Sequence, residues 1–270
     1  MSAPFGRAFV VGMGEVGRRL ARALAASGTE VVAVTRQEGW ERLAAEREAP
    51  VLVCVREEAL ADAVARLRGV AAERLVFVQN GWIRPLLDGV TGCSRGLIWF
   101  TSKGEFFRGL RPSVFSGPAT ARVVEALDRG GIAATVQEAD AFARAEAEKM
   151  GFNCVVGLPL AVHGVSLEEY LRRHPSEAEA VFSEAVGVTA RALGVAPSDD
   201  WWPGFVRVAE PIGWVRASAP KALEFRNGAV VRLAGTFGMA APVNESLLAA
   251  VGFRSDIAGV QGVRPGRRGS

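Results

Sequence analysis

Phe9-Val10-Val11-Gly12-Met13-Gly14-Glu15-Val16-Gly17, followed by Arg18-Arg19-Leu20-Ala21-Arg22-Ala23-Leu24, reads as a buried strand, a tight glycine turn and an amphipathic helix. In such a G-x-G-x-x-G turn the first glycine permits the bend and the second lets backbone N–H groups close on a pyrophosphate. The third lets helix and strand pack, and the helix start favours the anion. The motif alone is weak; the strand before it and the helix after it give it meaning. Gly12, Met13, Gly14, Glu15, Val16 and Gly17 are therefore expected to cradle a dinucleotide. About twenty residues on, Glu30-Val31-Val32-Ala33-Val34-Thr35-Arg36 supplies a second buried strand with a polar end. A carboxylate there would hold a ribose 2′-OH, whereas an arginine suits a 2′-phosphate. The preferred cofactor is thus NADPH with Arg36 as its reader; the plainer reading is an arginine that solvates a strand end.

Downstream, apolar runs alternate with amphipathic stretches, the signature of βαβ units and a parallel sheet. Strands are expected at 50–55 and 75–78 with a helix over 57–68. Arg56 and Asn80-Gly81 fall at carboxyl ends of strands, where open sheets bind ligands. Further strands at 97–100 and 113–118, separated by a polar stretch over 101–111, suit a hairpin. A helix over 119–128 and a strand over 132–136 complete the sheet. The fold class expected is α/β: an N-terminal Rossmann-type parallel-sheet domain over 1–138, then an all-α domain over 139–253 for substrate and for any homodimer contact. The tail, 254–270, loses apolar periodicity and is expected to be mobile.

The second domain should open with a helix over 140–157. From Met150 to Val162 only Asn153 has a strongly polar side chain. A buried amide without partners costs about 1–3 kcal/mol, so Asn153 must meet protein, water or ligand. Lys149 lies four residues earlier on the same helical face; its plain alternative is a surface ion pair with Glu146 or another glutamate. Helices are expected over 167–173, 176–194, 223–234 and 243–251. Asp199-Asp200-Trp201-Trp202-Pro203 reads as an aromatic loop that packs or, alternatively, covers a substrate.

The 270 residues are 49% hydrophobic and 23% charged, with a formal net charge of +3. The arginines are scattered along helices without a basic block, which argues against nucleic acid and leaves a small-molecule partner. No apolar run is long enough for a membrane span and no leader is visible, so a cytoplasmic protein is expected. Cys54, Cys93 and Cys154 have no paired spacing and read as reduced residues. His163 and His174 have neither metal-ligand spacing nor a nearby carboxylate cluster, so no metal site and no triad is expected, and His163, ending an apolar run, reads as a satisfied core or interface residue.

Taken together, these stretches resemble the ketopantoate reductase (2-dehydropantoate 2-reductase) family. The likeness rests on Gly12-Met13-Gly14-Glu15-Val16-Gly17, Gln79-Asn80-Gly81, Lys149-x-x-x-Asn153-Cys154-Val155-Val156, Asn227-Gly228-Ala229-Val230-Val231-Arg232-Leu233 and Ala241-Pro242-Val243-Asn244-Glu245. The resemblance implies an NADPH-dependent reductase of a 2-oxo acid, ketopantoate in pantothenate biosynthesis being the family's reaction. Lys149 would be its proton donor and Asn153 its substrate-orienting amide; Asn80 would lie between nicotinamide and substrate, with Arg56 near the cofactor. It also implies that Asn227-Gly228, by itself a hairpin signal, lies in a helix. The chain departs from the family where an asparagine becomes Gly157 and a glutamate becomes Ala222. Ser218 stands near the position of a substrate-binding serine and reads equally as a helix cap. The rival expectations are a divergent reductase of another carbonyl or imine, and a non-catalytic NADP(H) sensor.

Overall fold

The computed structural model describes residues 5–217 and 219–253, so Ser218 and the tail lie outside the described residues. The N-terminal half runs β1 (Arg7–Val11), α1 (Glu15–Ala26), β2 (Glu30–Val34), α2 (Trp40–Ala45), β3 (Val51–Val53), α3 (Leu60–Arg66) and β4 (Leu75–Phe77). It continues through β5 (Ser94–Leu97), β6 (Phe100–Lys103), β7 (Phe106–Gly109), β8 (Ser113–Ser116), α4 (Thr120–Arg129) and β9 (Ala134–Val136). Seven strands form one sheet in the order β2-β1-β3-β4-β5-β8-β9. All neighbours are parallel except β5 and β8. Because side chains alternate across a strand, Phe9 and Val11 face one apolar layer with Val34, Val53 and Leu60. Ala8 and Val10 face the other, with Leu20, Leu24 and Phe115. Burial on both faces explains why these strands read as continuous apolar runs.

One local expectation is corrected. The strands near 97–100 and 113–118 do pair antiparallel, with Leu97 opposite Val114. The polar stretch between them is not a plain connection: β6 and β7 form their own hairpin, with Lys103 opposite Phe106. This hairpin folds onto α1, where Arg22 makes two hydrogen bonds to Glu105 (3.0 and 2.9 Å) and Arg19 lies 4.7 Å from the Phe107 ring centroid. Phe100 and Phe107 pack against the apolar layer shared by α1 and the sheet, and the Phe106 ring meets Trp214 at 5.5 Å, while Lys103, Glu105 and Arg108 mask the alternation.

The C-terminal half is helical: α5 (Ala139–Val155), α6 (Leu158–His163), α7 (Leu167–Arg173), α8 (Pro175–Leu193), α9 (Trp201–Ala209), α10 (Asn227–Phe237) and α11 (Pro242–Ala250). α5 and α8 run against each other, and their backbones approach closely at Gly151. A Cβ there would lie 2.6 Å from Val186 Cγ2 and 2.7 Å from Phe182. The expected aromatic loop is in fact the start of α9. Trp202 stacks on Phe205 at 5.2 Å and lies 5.5 Å from Phe182, so the pair packs a core. The helix expected over 223–234 is broken: a 3₁₀ turn, Leu223–Phe225, is separated from α10 by Arg226, whose φ of −119° and ψ of −111° no helix tolerates. No helix among the described residues is long and apolar enough to cross a membrane.

Gly151→Val places a branched side chain into the α5–α8 contact. Urea unfolding should show a loss of about 1–3 kcal/mol; an unchanged midpoint would mean that the helices do not meet at this glycine.

Candidate active site

The glycine turn has the shape its sequence requires. Gly12 N donates to Val34 O at 2.9 Å, and Gly12 adopts φ +93° with its Cβ position only 2.9 Å from Val55 N. No other residue fits there. A Cβ on Gly17 would lie 1.9 Å from Gly12 O, so the third glycine is what lets α1 begin against the turn. Gly14 is different: nothing lies within 4 Å of its Cβ position, and it caps α1 without a side-chain hydrogen bond. An open approach beside unpaired helix-start amides fits a pyrophosphate. Met13 and Val16 pack against the apolar layer beneath, whereas the Glu15 carboxylate turns to the hairpin and accepts from Gly104 N at 3.1 Å.

Arg36 is exposed one residue beyond Thr35 at the end of β2. Beside it is a cation that sequence reading missed. Arg66, at the end of α3, donates to Arg36 O at 2.9 Å while its guanidinium lies 3.9 Å from the Trp40 ring centroid. The two arginines come from segments thirty residues apart, and no local pattern links them. Arg56 is exposed just beyond β3. Asn80 is half-buried beyond β4, followed by Gly81 at φ +77°, where a Cβ would lie 2.3 Å from Phe225 O. Trp82 N donates to that same oxygen at 2.6 Å. The turn after β4 therefore abuts the 3₁₀ turn before α10, joining sheet and helices at this point.

Lys149 and Asn153 are both buried, 5% and 6% exposed, on one face of α5. The surface ion pair weighed for Lys149 is not what the structure shows. Its Nζ lies 3.9 Å from the Trp99 ring centroid and 4.5 Å from that of Phe152. The neighbouring carboxylates are engaged elsewhere. Arg84 holds Glu146 with hydrogen bonds of 2.6 and 3.1 Å, Arg95 stands 3.3 Å from Glu146, and Arg111 grips Glu148 with two bonds of 2.8 Å. Burial, reinforced by the Arg111 and Arg226 guanidiniums and only partly offset by Glu148, holds the Lys149 amine well below the usual lysine range.

Lys149, Asn153, Glu146 and Thr189 line one small cavity with Gly81 and Trp82. Its volume of about 10 Å³ holds at most a single water, so a substrate must displace neighbours to reach Lys149. Asn153 Nδ2 and Thr189 Oγ1 are buried with no hydrogen-bond partner. Two orphaned polar atoms beside an amine, each costly to leave unpaired, fit a polar ligand. Thr189 went unnoticed because it is a lone hydroxyl on α8. Asn80, placed in this site from sequence, follows β4 but is not among the cavity's lining residues; Gly81 and Trp82 are.

Gly157 caps α6 with φ −147° and ψ −96°. Ala222 precedes the 3₁₀ turn at φ +50°, the one non-glycine with positive φ among the described residues. The histidines correct another expectation. His163 Nε2 lies 2.8 Å from Glu177 Oε1, which also accepts from the Tyr170 hydroxyl at 2.9 Å. The His163 and His174 rings stack at 4.1 Å. α6, α7 and α8 fold back on one another, so a carboxylate distant from His163 in sequence becomes its partner, and the cluster staples α6 to α8.

No protein-family model and no curated protein matches the chain. Solved structures do. The ketopantoate reductase of Ralstonia eutropha JMP134 is 19% identical with a TM-score of 0.73, the match covering 91% of this chain and 97% of that one. The 2-dehydropantoate 2-reductase of Methylococcus capsulatus is 20% identical with a TM-score of 0.74, covering 91% and 96%. A D-mandelate dehydrogenase solved with NADH is 14% identical with a TM-score of 0.72, covering 91% and 97%. The chain thus has the fold of the ketopantoate reductases, a Rossmann-type sheet followed by helices, and shares it with D-mandelate dehydrogenase.

Proposed function

We propose that the chain is an NADPH-dependent reductase of a small 2-oxo acid, with residues 1–138 holding the nucleotide and 139–253 the substrate. The observation that carries this reading is Lys149: an amine buried with Asn153 on one helical face, beside unpaired polar atoms, and with no ion pair of its own among the described residues. A lysine used only for structure gains most from an ion pair. A lysine that must give and recover a proton near neutral pH gains from a lowered pKa.

A nicotinamide dinucleotide with its pyrophosphate at the Gly12–Gly17 turn would supply a hydride. The chain's own residues do the rest. The Gly14 opening and the α1 amides hold the pyrophosphate, and Arg36 with Arg66 holds a 2′-phosphate. The Asn153 amide donates to the substrate and fixes its orientation. Lys149 Nζ hydrogen-bonds the carbonyl oxygen, stabilises the negative charge that grows there as the carbon is reduced, and delivers a proton to it. The ammonium becomes an amine, a form its surroundings already favour, and regains its proton from solvent after product leaves. Ketopantoate, the substrate of the fold's named reductases, is the first candidate. Gly157 and Ala222 favour a relative of it, because neither provides the polar side chain that the family resemblance puts at that position. A purely sensing role leaves the burial of Lys149 without a use.

Arg36→Ala should weaken NADPH binding by about 1–3 kcal/mol and leave NADH binding nearly unchanged in a fluorescence titration; equal losses would remove the case for a 2′-phosphate reader. Lys149→Met should retain NADPH affinity while NADPH oxidation with ketopantoate and other 2-oxo acids collapses, and undiminished turnover would contradict the proton-donor role. The same variant tests the amine's environment. Because the folded-state pKa is lowered, the unfolded chain binds more protons between that value and the ordinary 10.5, so the contribution of Lys149 to stability rises with pH across this window. Relative to Lys149→Met, the parent protein should therefore gain stability from neutral pH towards pH 10 in urea melts. A constant difference would mean an unshifted lysine.

A further inference from the structure

Arg226 follows the 3₁₀ turn and precedes Asn227, whose Nδ2 donates to Cys154 O at 3.3 Å and to Asn244 Oδ1 at 2.8 Å. Those bonds pin the start of α10 against the end of α5 and bring the Arg226 side chain beside the Lys149–Asn153 face. Its side chain is only 19% exposed, yet among the described residues its guanidinium donates no hydrogen bond. Its Nε is buried without a partner, and the nearest carboxylate, on Glu57, stands 3.7 Å away. Of the other cations nearby, Arg84 and Arg111 hydrogen-bond Glu146 and Glu148, whereas Arg95 stands 3.3 Å from Glu146 with its Nε and Nη2 also unpartnered. A buried guanidinium with its fork of donors unused is costly unless an anion completes it.

The space around Arg226 points the same way. A Cβ at Gly157 would lie 3.8 Å from Arg226 Nη1, so the guanidinium borders the position where the family resemblance puts an asparagine. Glycine here leaves room beside a cation, and Ala222, four residues before Arg226, adds no carboxylate to neutralise it. Neither position supplies a group that could pair with Arg226, whose nearest carboxylate is Glu57 at 3.7 Å. Arginine matches a carboxylate through two parallel hydrogen bonds, and a 2-oxo acid carries a carboxylate on the carbon next to its carbonyl. With Lys149 on the carbonyl oxygen, that carboxylate needs one cationic fork nearby.

We propose that Arg226 is the substrate-carboxylate anchor, so that this site selects 2-oxo carboxylates over neutral ketones and imines. The inference rests on the reductase reading for its substrate class. Glu57, the weak counter-charge at 3.7 Å, holds the guanidinium when no substrate is bound and yields to the incoming carboxylate.

The test compares the parent protein with Arg226→Met and Arg226→Lys, all with unchanged circular dichroism and melting temperature within a few degrees. The NADPH oxidation assay uses the best 2-oxo acid of a panel and its methyl ester. The anchor predicts a KM for the acid raised about 30-fold or more in Arg226→Met, partly restored by Arg226→Lys, with kcat changed far less. The KM for the ester should barely move. Isothermal titration of oxalate into the NADPH-loaded protein provides a readout that needs no turnover: binding should be lost in Arg226→Met while NADPH affinity is kept. Turnover insensitive to the substitution, or equal effects on acid and ester, would overturn the anchor and leave the reductase reading intact. Weakened NADPH binding in Arg226→Met would also overturn it, by making Arg226 a cofactor contact. Arg226-dependent oxalate binding in a protein that reduces no 2-oxo acid would sustain the anion site and refute the reductase.

Discussion

Taking an ammonium out of water without giving it a carboxylate is one of the less favourable things a fold can do, and the arrangement around Lys149 depends on that being done. α5 carries Glu146 and Glu148 within three residues of Lys149, close enough to neutralise it. Four arginines prevent this. Arg84 and Arg95 occupy Glu146, Arg111 occupies Glu148, and Arg226 adds positive charge of its own. What Lys149 meets instead is the ring face of Trp99 and Phe152, which favours a cation by far less than an ion pair does. Burial and the surrounding guanidiniums leave the charged form of the amine disfavoured.

The same residues tie the two halves of the chain together. Arg84 belongs to the segment after β4, Arg95 to β5 and Arg111 to the turn before β8, whereas Glu146 and Glu148 belong to α5. Each ion pair that shields Lys149 therefore also crosses from sheet to helices. Gly81 and Trp82 against Phe225 add a backbone contact at the same seam.

Much of this was legible in the sequence because it rests on local rules. The Gly12–Gly17 turn, the alternation of strands and helices and the four-residue spacing of Lys149 and Asn153 need only neighbours along the chain. The β6–β7 hairpin was not legible, since its faces meet α1 and carry charge on both edges. Nor was the break at Arg226, where contacts with Gly81 and Trp82 override a helical pattern. The partners of Lys149 were beyond reach for a different reason: Trp99, Arg111 and Thr189 arrive from three separate elements, and only the folded chain shows that Glu146 and Glu148 are already taken. The Glu177 carboxylate beside His163 was beyond reach on the same account.

The chain has three lysines, Lys103, Lys149 and Lys221, so the protonation of the central one can be measured directly. Reductive ¹³C-methylation followed by NMR titration gives a curve for each, with Lys149→Met assigning the resonance. The account predicts that the resonance lost in Lys149→Met titrates well below the usual lysine range. An ordinary lysine curve for that resonance would contradict it, because Lys149 would then be a charged group in contact with water and not the desolvated amine on which the proposed proton transfer rests.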